Sequence, residues 1–91
     1  MTAETFKRVW WRGWVRSSEG YAVRVMGRND LQYTDNLGLI HVFVEPMADW
    51  RELAVDTSTI PDSLERPREE VLSRIRRVFD FNGWVMIQGS G

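Results

Sequence analysis

The sequence predicts an α+β domain with two layers. We expect an antiparallel meander sheet of about five to six strands, one C-terminal helix packed on a face of the sheet, and a final strand after the helix. Three observations lead to this prediction. Short alternating segments separated by turn residues fill the first two thirds of the chain, an amphipathic segment of helical period follows Pro67, and Gly83 then returns the chain to an extended apolar segment.

The opening segment is compatible with two structures. Phe6, Val9 and Trp10 recur at a helical spacing, whereas the alternation of tryptophan and arginine up to Arg16 suits a strand with two usable faces. The aromatic and β-branched residues favour a strand from about Trp11 to Arg16. Residues 1–16 therefore stay open between a strand and a short helix at their start.

Further strands are predicted between turns. Residues 17–20, 27–30 and 35–38 are rich in serine, glycine, asparagine and aspartate, which favour turns. The apolar run at residues 39–44 is nearly continuous, so we expect a central strand there, ended by Pro46. In chain order these predicted strands are Tyr21–Met26, Leu31–Thr34, Leu39–Val44 and Trp50–Thr57.

One helix follows the strands. Pro67 suits its first turn, Glu70 and Arg74 form an i,i+4 pair, and Asn82-Gly83 ends it. The apolar residues on one side of this helix are Val71, Leu72, Ile75, Val78 and Phe79. We expect this side to lie on the sheet, a closing strand at Trp84–Ile87, and a disordered tail over residues 88–91.

The composition is that of an ordinary single-domain protein, and we treat residues 1–91 as one domain. Hydrophobic residues make up 43% of the chain and charged residues 27%. The absence of cysteine excludes a disulfide framework, a thiolate metal site and a cysteine nucleophile, and it fits a reducing compartment. The sequence has no signal-peptide pattern and no apolar run near the roughly 20 residues of a membrane span, so we expect a cytoplasmic protein without membrane contact.

Charge is distributed unevenly along the chain. The net charge of −1 argues against a bulk electrostatic affinity for nucleic acid or anionic membranes. Residues 1–28 nevertheless carry six basic and two acidic residues, and residues 29–65 carry one basic and eight acidic residues. The middle of the chain is therefore an acidic block, which becomes an acidic surface if the fold gathers it on one side.

No constellation of catalytic or metal-binding residues stands out. His41, the only histidine, lies in the most apolar predicted strand without a metal-ligand or catalytic partner at a recognisable spacing, so we interpret it as structural. Asp49, Glu52 and Asp56 do not have the spacing of a calcium loop, and the glycines form no phosphate-binding motif. We therefore expect no enzymatic activity, no metal and no cofactor.

The basic and aromatic segment at residues 7–16 is the strongest local signal. Cations interleaved with flat rings are what a single-stranded nucleic-acid platform needs, because phosphates bind the cations and bases stack on the rings. The residues that would form this surface are Lys7, Arg8, Trp10, Arg12, Trp14 and Arg16. We favour the alternative, in which the tryptophans fill the core of a small domain and the arginines form its solvated face.

Residues 20–88 resemble a known family. The resemblance rests on the short strands of residues 21–33, on Trp50, and on the helix Arg74–Gly83 with its closing strand. These features are similar to the small immunity proteins of bacterial polymorphic toxin systems, in particular the immunity protein 74 family; the Trp-rich residues 1–16 depart from that pattern. The resemblance implies a non-enzymatic cytoplasmic protein that binds a cognate protein toxin and blocks it.

The acidic block supplies a surface for such a partner. Many toxins of these systems are nucleases with basic clefts, and an acidic inhibitor surface speeds association and imposes specificity. The contact residues predicted from charge and loop placement are Asp30, Asp35, Asp49, Glu52, Asp56 and Asp62, with Trp50 as an aromatic anchor. The alternatives are a solubilising acidic surface and a subunit of a larger assembly, such as a homodimer, joined through a sheet edge or through the tryptophans of residues 10–14.

Overall fold

The computed structural model describes residues 3–9, 13–49 and 51–89. Within these ranges the chain forms a sheet, one α-helix and a short 3₁₀ turn at Thr57–Thr59. The strands are β1 (Phe6–Val9), β2 (Trp14–Ser17), β3 (Ala22–Met26), β4 (Asp30–Asp35), β5 (Gly38–Pro46), β6 (Glu52–Asp56) and β7 (Val85–Gly89), and the helix is α1 (Arg68–Asn82). The predicted α+β class, with one helix and a strand after it, is confirmed.

The strands form a seven-stranded sheet in the order of the chain, β1-β2-β3-β4-β5-β6-β7. Neighbours from β1 to β6 are antiparallel, which is the arrangement that short hairpin turns allow. β7 is parallel to β6, because the chain crosses over through α1 before it rejoins the sheet. The predicted meander is therefore correct for β2 to β6, β1 adds an antiparallel strand at its start, and β7 adds a parallel edge.

α1 packs on one face of the sheet, which we call the inner face. The buried residues of the helix are the predicted set Val71, Leu72, Ile75, Val78 and Phe79. They form one cluster with alternate residues of the strands, among them Val23, Leu31, Val42 and Val55. Burial of each such side chain contributes about 1.5–3 kcal/mol relative to exposure, so this contact holds the two layers together. No helix in the described ranges is long and apolar enough to cross a membrane.

The opposite side of the sheet, which we call the outer face, carries no helix within the described residues. Successive side chains of a strand point to opposite faces, so the residues between buried ones point outward. In β5, Val42 and Val44 are buried whereas His41, Phe43 and Glu45 are exposed. His41 therefore faces solvent, although it lies in the strand that the sequence predicts to be central.

α1 ends on a left-handed glycine, as predicted. Gly83 has φ 76°, a conformation that side-chain-bearing residues rarely adopt, and its N–H donates to the carbonyl of Asp80 at 3.2 Å. The N–H of Trp84 donates to the carbonyl of Phe79 at 2.8 Å, which turns the chain toward β7. The predicted pair of Glu70 and Arg74 is present at 2.8 Å.

The N-terminal region contains two strands rather than one. The predicted strand at Trp11–Arg16 corresponds only to β2, and β1 lies where a short helix was the alternative. The two strands pair along their length, and the N–H of Gly13 donates to the carbonyl of Val9 at 3.2 Å across the turn. The sequence left the start of the chain open between a strand and a short helix, and the structure has a strand at Phe6–Val9.

β7 extends beyond the predicted closing strand. Gln88 pairs with Val55 and Gly89 with Asp56, so both residues belong to the sheet although the sequence predicts that a tail begins at residue 88. The neighbouring strand β6 supplies the hydrogen-bonding partners, which a pattern of side chains does not reveal.

Candidate functional site

The outer face presents its side chains in rows that cross the strands. The pairing register aligns Met26 of β3, Asp30 of β4 and Phe43 of β5 in one row. Met26 and Phe43 are 43% and 45% exposed, and they flank Asp30 on its two sides, so that the row presents two large apolar side chains to solvent. This central row separates two regions of opposite charge.

The first region is a basic corner, which we define as Lys7, Arg16 and Arg24. Lys7 of β1 lies directly opposite Arg16 of β2, and both side chains are exposed. Like charges in this position repel each other, and no carboxylate within the described residues pairs with either. Arg24 lies on the adjacent strand, with its guanidinium carbon 4.4 Å from the ring centre of Trp14 and its Nε donating to Gln32 Oε1 at 2.9 Å.

The second region is an acidic corner, which we define as Glu45, Glu52 and Asp56. Glu45 of β5 lies opposite Ala54, which stands between Glu52 and Asp56 on β6, so three carboxylates share one patch of the outer face. The carboxylates of Glu45 and Glu52 make no hydrogen bond or ion pair with another described residue. Val85 is 53% exposed and lies beside Glu52 in the register, so apolar surface adjoins these charges.

Asp30, a predicted contact residue, lies in the centre of the outer face. Its Oδ1 is 3.0 Å from His41 Nδ1, and its Oδ2 accepts a hydrogen bond from Gln32 Nε2 at 3.4 Å. Since Arg24 donates to the same glutamine, a polar track of four side chains runs from β3 to β5. Asp30 stays on the surface, but its charge is shared with neighbours rather than free.

Three other predicted contact residues hold turns and helix ends. Asp49 accepts the backbone N–H of Arg51 at 3.0 Å, and this bond, with the Arg51 side chain, lowers the pKa of Asp49. Asp56 accepts the N–H of Ser58 at 3.0 Å and so caps the 3₁₀ turn. Asp62 accepts the N–H of Arg68, the first residue of α1, at 2.9 Å. Aspartate at these three positions therefore has a local structural role, because its side chain accepts backbone N–H groups in turns and at helix ends.

Asp35 does not lie on the acidic surface. Leu31, Tyr33 and Asp35 alternate on the inner side of β4, so the carboxylate of Asp35 points toward α1 and its side chain is only 3% exposed. It accepts hydrogen bonds from Arg66 at 2.6 Å and from the Tyr33 hydroxyl at 2.7 Å. Among the predicted contact residues, Asp35 is thus engaged inside the protein, and Trp50 lies outside the described residues.

The predicted nucleic-acid surface is divided between the two faces. Arg8 lies on the helix side, where it donates to Asn82 Oδ1 at 2.8 Å and covers the ring of Phe81. Lys7, Trp14 and Arg16 lie on the outer face, and Trp10 and Arg12 fall outside the described residues. The expectation that the tryptophans fill the core is wrong for Trp14, because Val15 is the residue of β2 that points inward.

A buried polar cluster joins the strands to α1 at one end of the core. Tyr21 and Tyr33 stack with ring centres 6.0 Å apart, and their hydroxyls donate to Glu4 at 2.6 Å and to Asp35 at 2.7 Å. The arginines that complete this cluster are Arg66, Arg74 and Arg77. Burial is the largest cause of the raised tyrosine pKa values, and it raises that of Tyr33 to about 12.

The carboxylates of this cluster are already saturated. The carboxylate of Glu4 accepts hydrogen bonds from Ser17, Tyr21 and Arg77. Burial by itself raises the pKa of Glu4, but these bonds outweigh it, so that the pKa is lowered. A surface depression of about 360 Å³ lies beside the cluster and is lined by Ser17, Tyr21, Thr34 and Asp35, among others. Since each carboxylate oxygen has a protein partner, the cluster fits a role in holding the layers together.

The outer face contains three residues that the prediction of contact residues missed. Glu45 belongs to the acidic corner, and Phe43 and Met26 belong to the central row. The alternation of residues 41, 43 and 45 against Val42 and Val44 is the signal that identifies Phe43 and Glu45. No group of three or more His, Asp or Glu side chains within the described ranges is placed to hold a metal ion.

Comparisons with protein-family models, with curated proteins and with solved structures find no significant match to this chain.

Proposed function

We propose that this protein is an immunity protein that binds a cognate bacterial toxin through its outer face and neutralises it stoichiometrically in the cytoplasm. The observation that carries the proposal is the acidic corner. The exposed Glu45 and the partly exposed Glu52 have carboxylates without a partner among the described residues, and they lie beside the apolar side chains of Phe43 and Val85. An interface of this composition suits a basic protein surface, since charge complementarity accelerates association and an exposed aromatic side chain supplies an anchor.

The resemblance to immunity proteins supplies the class of partner, and the outer face supplies the chemistry. A toxin whose substrate-binding cleft is basic would be steered to the acidic corner at rates that fall with ionic strength. Nothing in this role requires a catalytic group or a cofactor.

The test uses the product of the adjacent open reading frame as the candidate toxin. The two proteins are co-expressed in bacteria, and growth and complex formation are measured for the natural chain and for E45K/E52K. We expect the natural chain to restore growth and the double variant to bind at least about tenfold more weakly, because two attractive contacts become repulsive. Glu45 and Glu52 are preferred to Asp56, since replacing Asp56 also removes the cap of the 3₁₀ turn.

A matched control keeps the charge change but moves it to the helix. Glu69→Lys/Asp80→Lys alters two exposed residues of α1, on the opposite side of the sheet, by the same total charge. We expect this variant to protect like the natural chain. Equal protection by E45K/E52K, or an adjacent product that is harmless or does not bind, would overturn the proposal.

A further inference from the structure

We infer that the outer face also binds a second copy of this chain, so that the free protein forms a face-to-face dimer in which the basic corner of each copy covers the acidic corner of the other. The inference does not rest on the proposed function. It rests on where the pairing register places Lys7, Arg16, Glu45 and Glu52, whose charges have no ion-pair partner among the described residues.

The two corners are diagonally opposite on the outer face. Arg16 on β2 and Glu52 on β6 lie four strands apart, which is about 19 Å at the usual strand spacing. Arg16 shares its row with Ala22, Thr34 and Leu39, and Glu45 lies six residues beyond Leu39 along β5, which is about 20 Å of strand. Arg16 and Glu45 are therefore roughly 25 Å apart, and Arg24, two strands and four residues from Glu45, is roughly 16 Å from it.

This separation prevents the corners from neutralising each other within one molecule. Salt screens exposed charges beyond about 10 Å at 0.1 M ionic strength. Lys7 and Arg16 face each other as like charges, and the carboxylates of Glu45 and Glu52 have no partner among the described residues, so both corners carry charge that an external partner can neutralise. The inner side behaves differently, because Arg66, Arg74 and Arg77 there are matched with acidic residues.

A twofold axis satisfies both corners at once. If the axis lies between two facing sheets, at about 45° to the strands, it exchanges the diagonal corners, and the strands of the two copies then cross at about 90°, an established mode of sheet packing. The row of Met26, Asp30 and Phe43 lies between the corners, at the centre of such an interface. Its two exposed apolar side chains would be removed from water there, and Asp30 retains His41 as a partner.

The size of the face predicts a weak dimer. Seven strands of about five residues give a face of roughly 29 Å by 17 Å. Because the strands of the two copies cross at about 90°, only about 17 Å by 17 Å of each face overlaps, so that a pair buries about 600 Å², below the usual size of a specific interface. We therefore expect dissociation at micromolar concentrations or above and a strong dependence on salt. Because the acidic corner serves both partners, a toxin bound there would displace the second copy.

The test is sedimentation equilibrium of the full chain at low and high salt. The average mass should rise toward twice the chain mass of 10.7 kDa as concentration increases at low salt, and it should fall when salt is added. Two variants reverse one corner each, K7E/R16E and E45K/E52K. Each alone places like charges together, so we expect its dissociation constant to rise at least about tenfold.

An equimolar mixture of the two variants is the decisive measurement. In a mixed pair, the reversed basic corner of one chain meets the reversed acidic corner of the other, and the two unaltered corners also meet, so the dimer should return. The control Glu69→Lys/Asp80→Lys should dimerise like the natural chain. Circular dichroism of each variant verifies that it is folded.

Several results would overturn this inference. The natural chain could stay monomeric at low salt up to the highest concentration reached. The variants K7E/R16E and E45K/E52K could dimerise like the natural chain, or their equimolar mixture could remain monomeric. Salt-sensitive quenching of a monomeric chain by single-stranded DNA would assign the basic corner to nucleic acid instead. K7E/R16E separates this inference from the proposed function, because it should lose the dimer and still protect against the toxin.

Discussion

Removal of the Asp35 carboxylate should destabilise the protein more than removal of any surface charge. Asp35 accepts hydrogen bonds from Tyr33 and Arg66, and Arg74 lies 3.5 Å away. The side chains of Arg66 and Arg74 are only 12% and 19% exposed. In Asp35→Ala these two guanidinium groups would stay partly buried without their shared anion, and burial of an unpaired charge is costly.

The expected loss is about 3–5 kcal/mol in the free energy of unfolding, the usual result of removing one partner of a buried ion pair. For a domain of this size each kcal/mol lowers the melting temperature by about 4–8 °C, so a decrease of at least about 12 °C should follow. Asp35→Asn should lose less, because an amide oxygen can still accept the N–H of Leu37 while the charge is removed.

Urea denaturation followed by circular dichroism and tryptophan emission measures these differences. Glu69→Ala is the control, since Glu69 is exposed on α1, and its midpoint should stay where it is in the natural chain. A loss below about 1 kcal/mol for Asp35→Ala would refute the argument, because it would mean that water or another carboxylate compensates the two arginines. Any effect of Asp35 variants on partner binding must be read at temperatures where they remain folded.

Two pH dependences follow from the buried cluster. The only two tyrosines, Tyr21 and Tyr33, both have raised pKa values, and burial is the largest cause. Absorbance at 295 nm should therefore show no tyrosinate near pH 10 in the folded protein and a normal titration in urea. Normal ionisation of the folded protein would contradict the burial of both hydroxyls in the polar cluster. The pKa values of Glu4 and Asp35 are lowered in the folded state, so the unfolded chain binds more protons in mild acid. The stability that these two carboxylates contribute is therefore fully present above their ordinary pKa values of 4.5 and 3.8, and it is lost as pH falls through the lowered pKa values of the folded state. Glu4→Gln combined with Asp35→Asn should flatten this dependence of the unfolding free energy on pH. An unchanged slope in the double variant would count against the lowered pKa values.

Local patterns in the sequence determined most of the fold. The alternation of apolar residues located the strands of the meander, and the helical period with Pro67 and Gly83 located α1 to within about one residue. These elements were predictable because each depends on neighbours within a few positions. The N-terminal hairpin was not, since one glycine and a few aromatic residues satisfy both a helical and an extended pattern.

The assignment of charges to surfaces depended on the tertiary structure. The acidic block of residues 29–65 is one block only along the chain. The strand alternation sends Asp35 inward to two arginines, and turns engage Asp49 and Asp62. On the outer face, the carboxylates of Glu45 and Glu52 have no partner among the described residues. The sequence determined which residues are charged and which elements carry them. Register between strands that are distant in sequence decided which charges meet, because a shift of one residue moves every side chain to the other face.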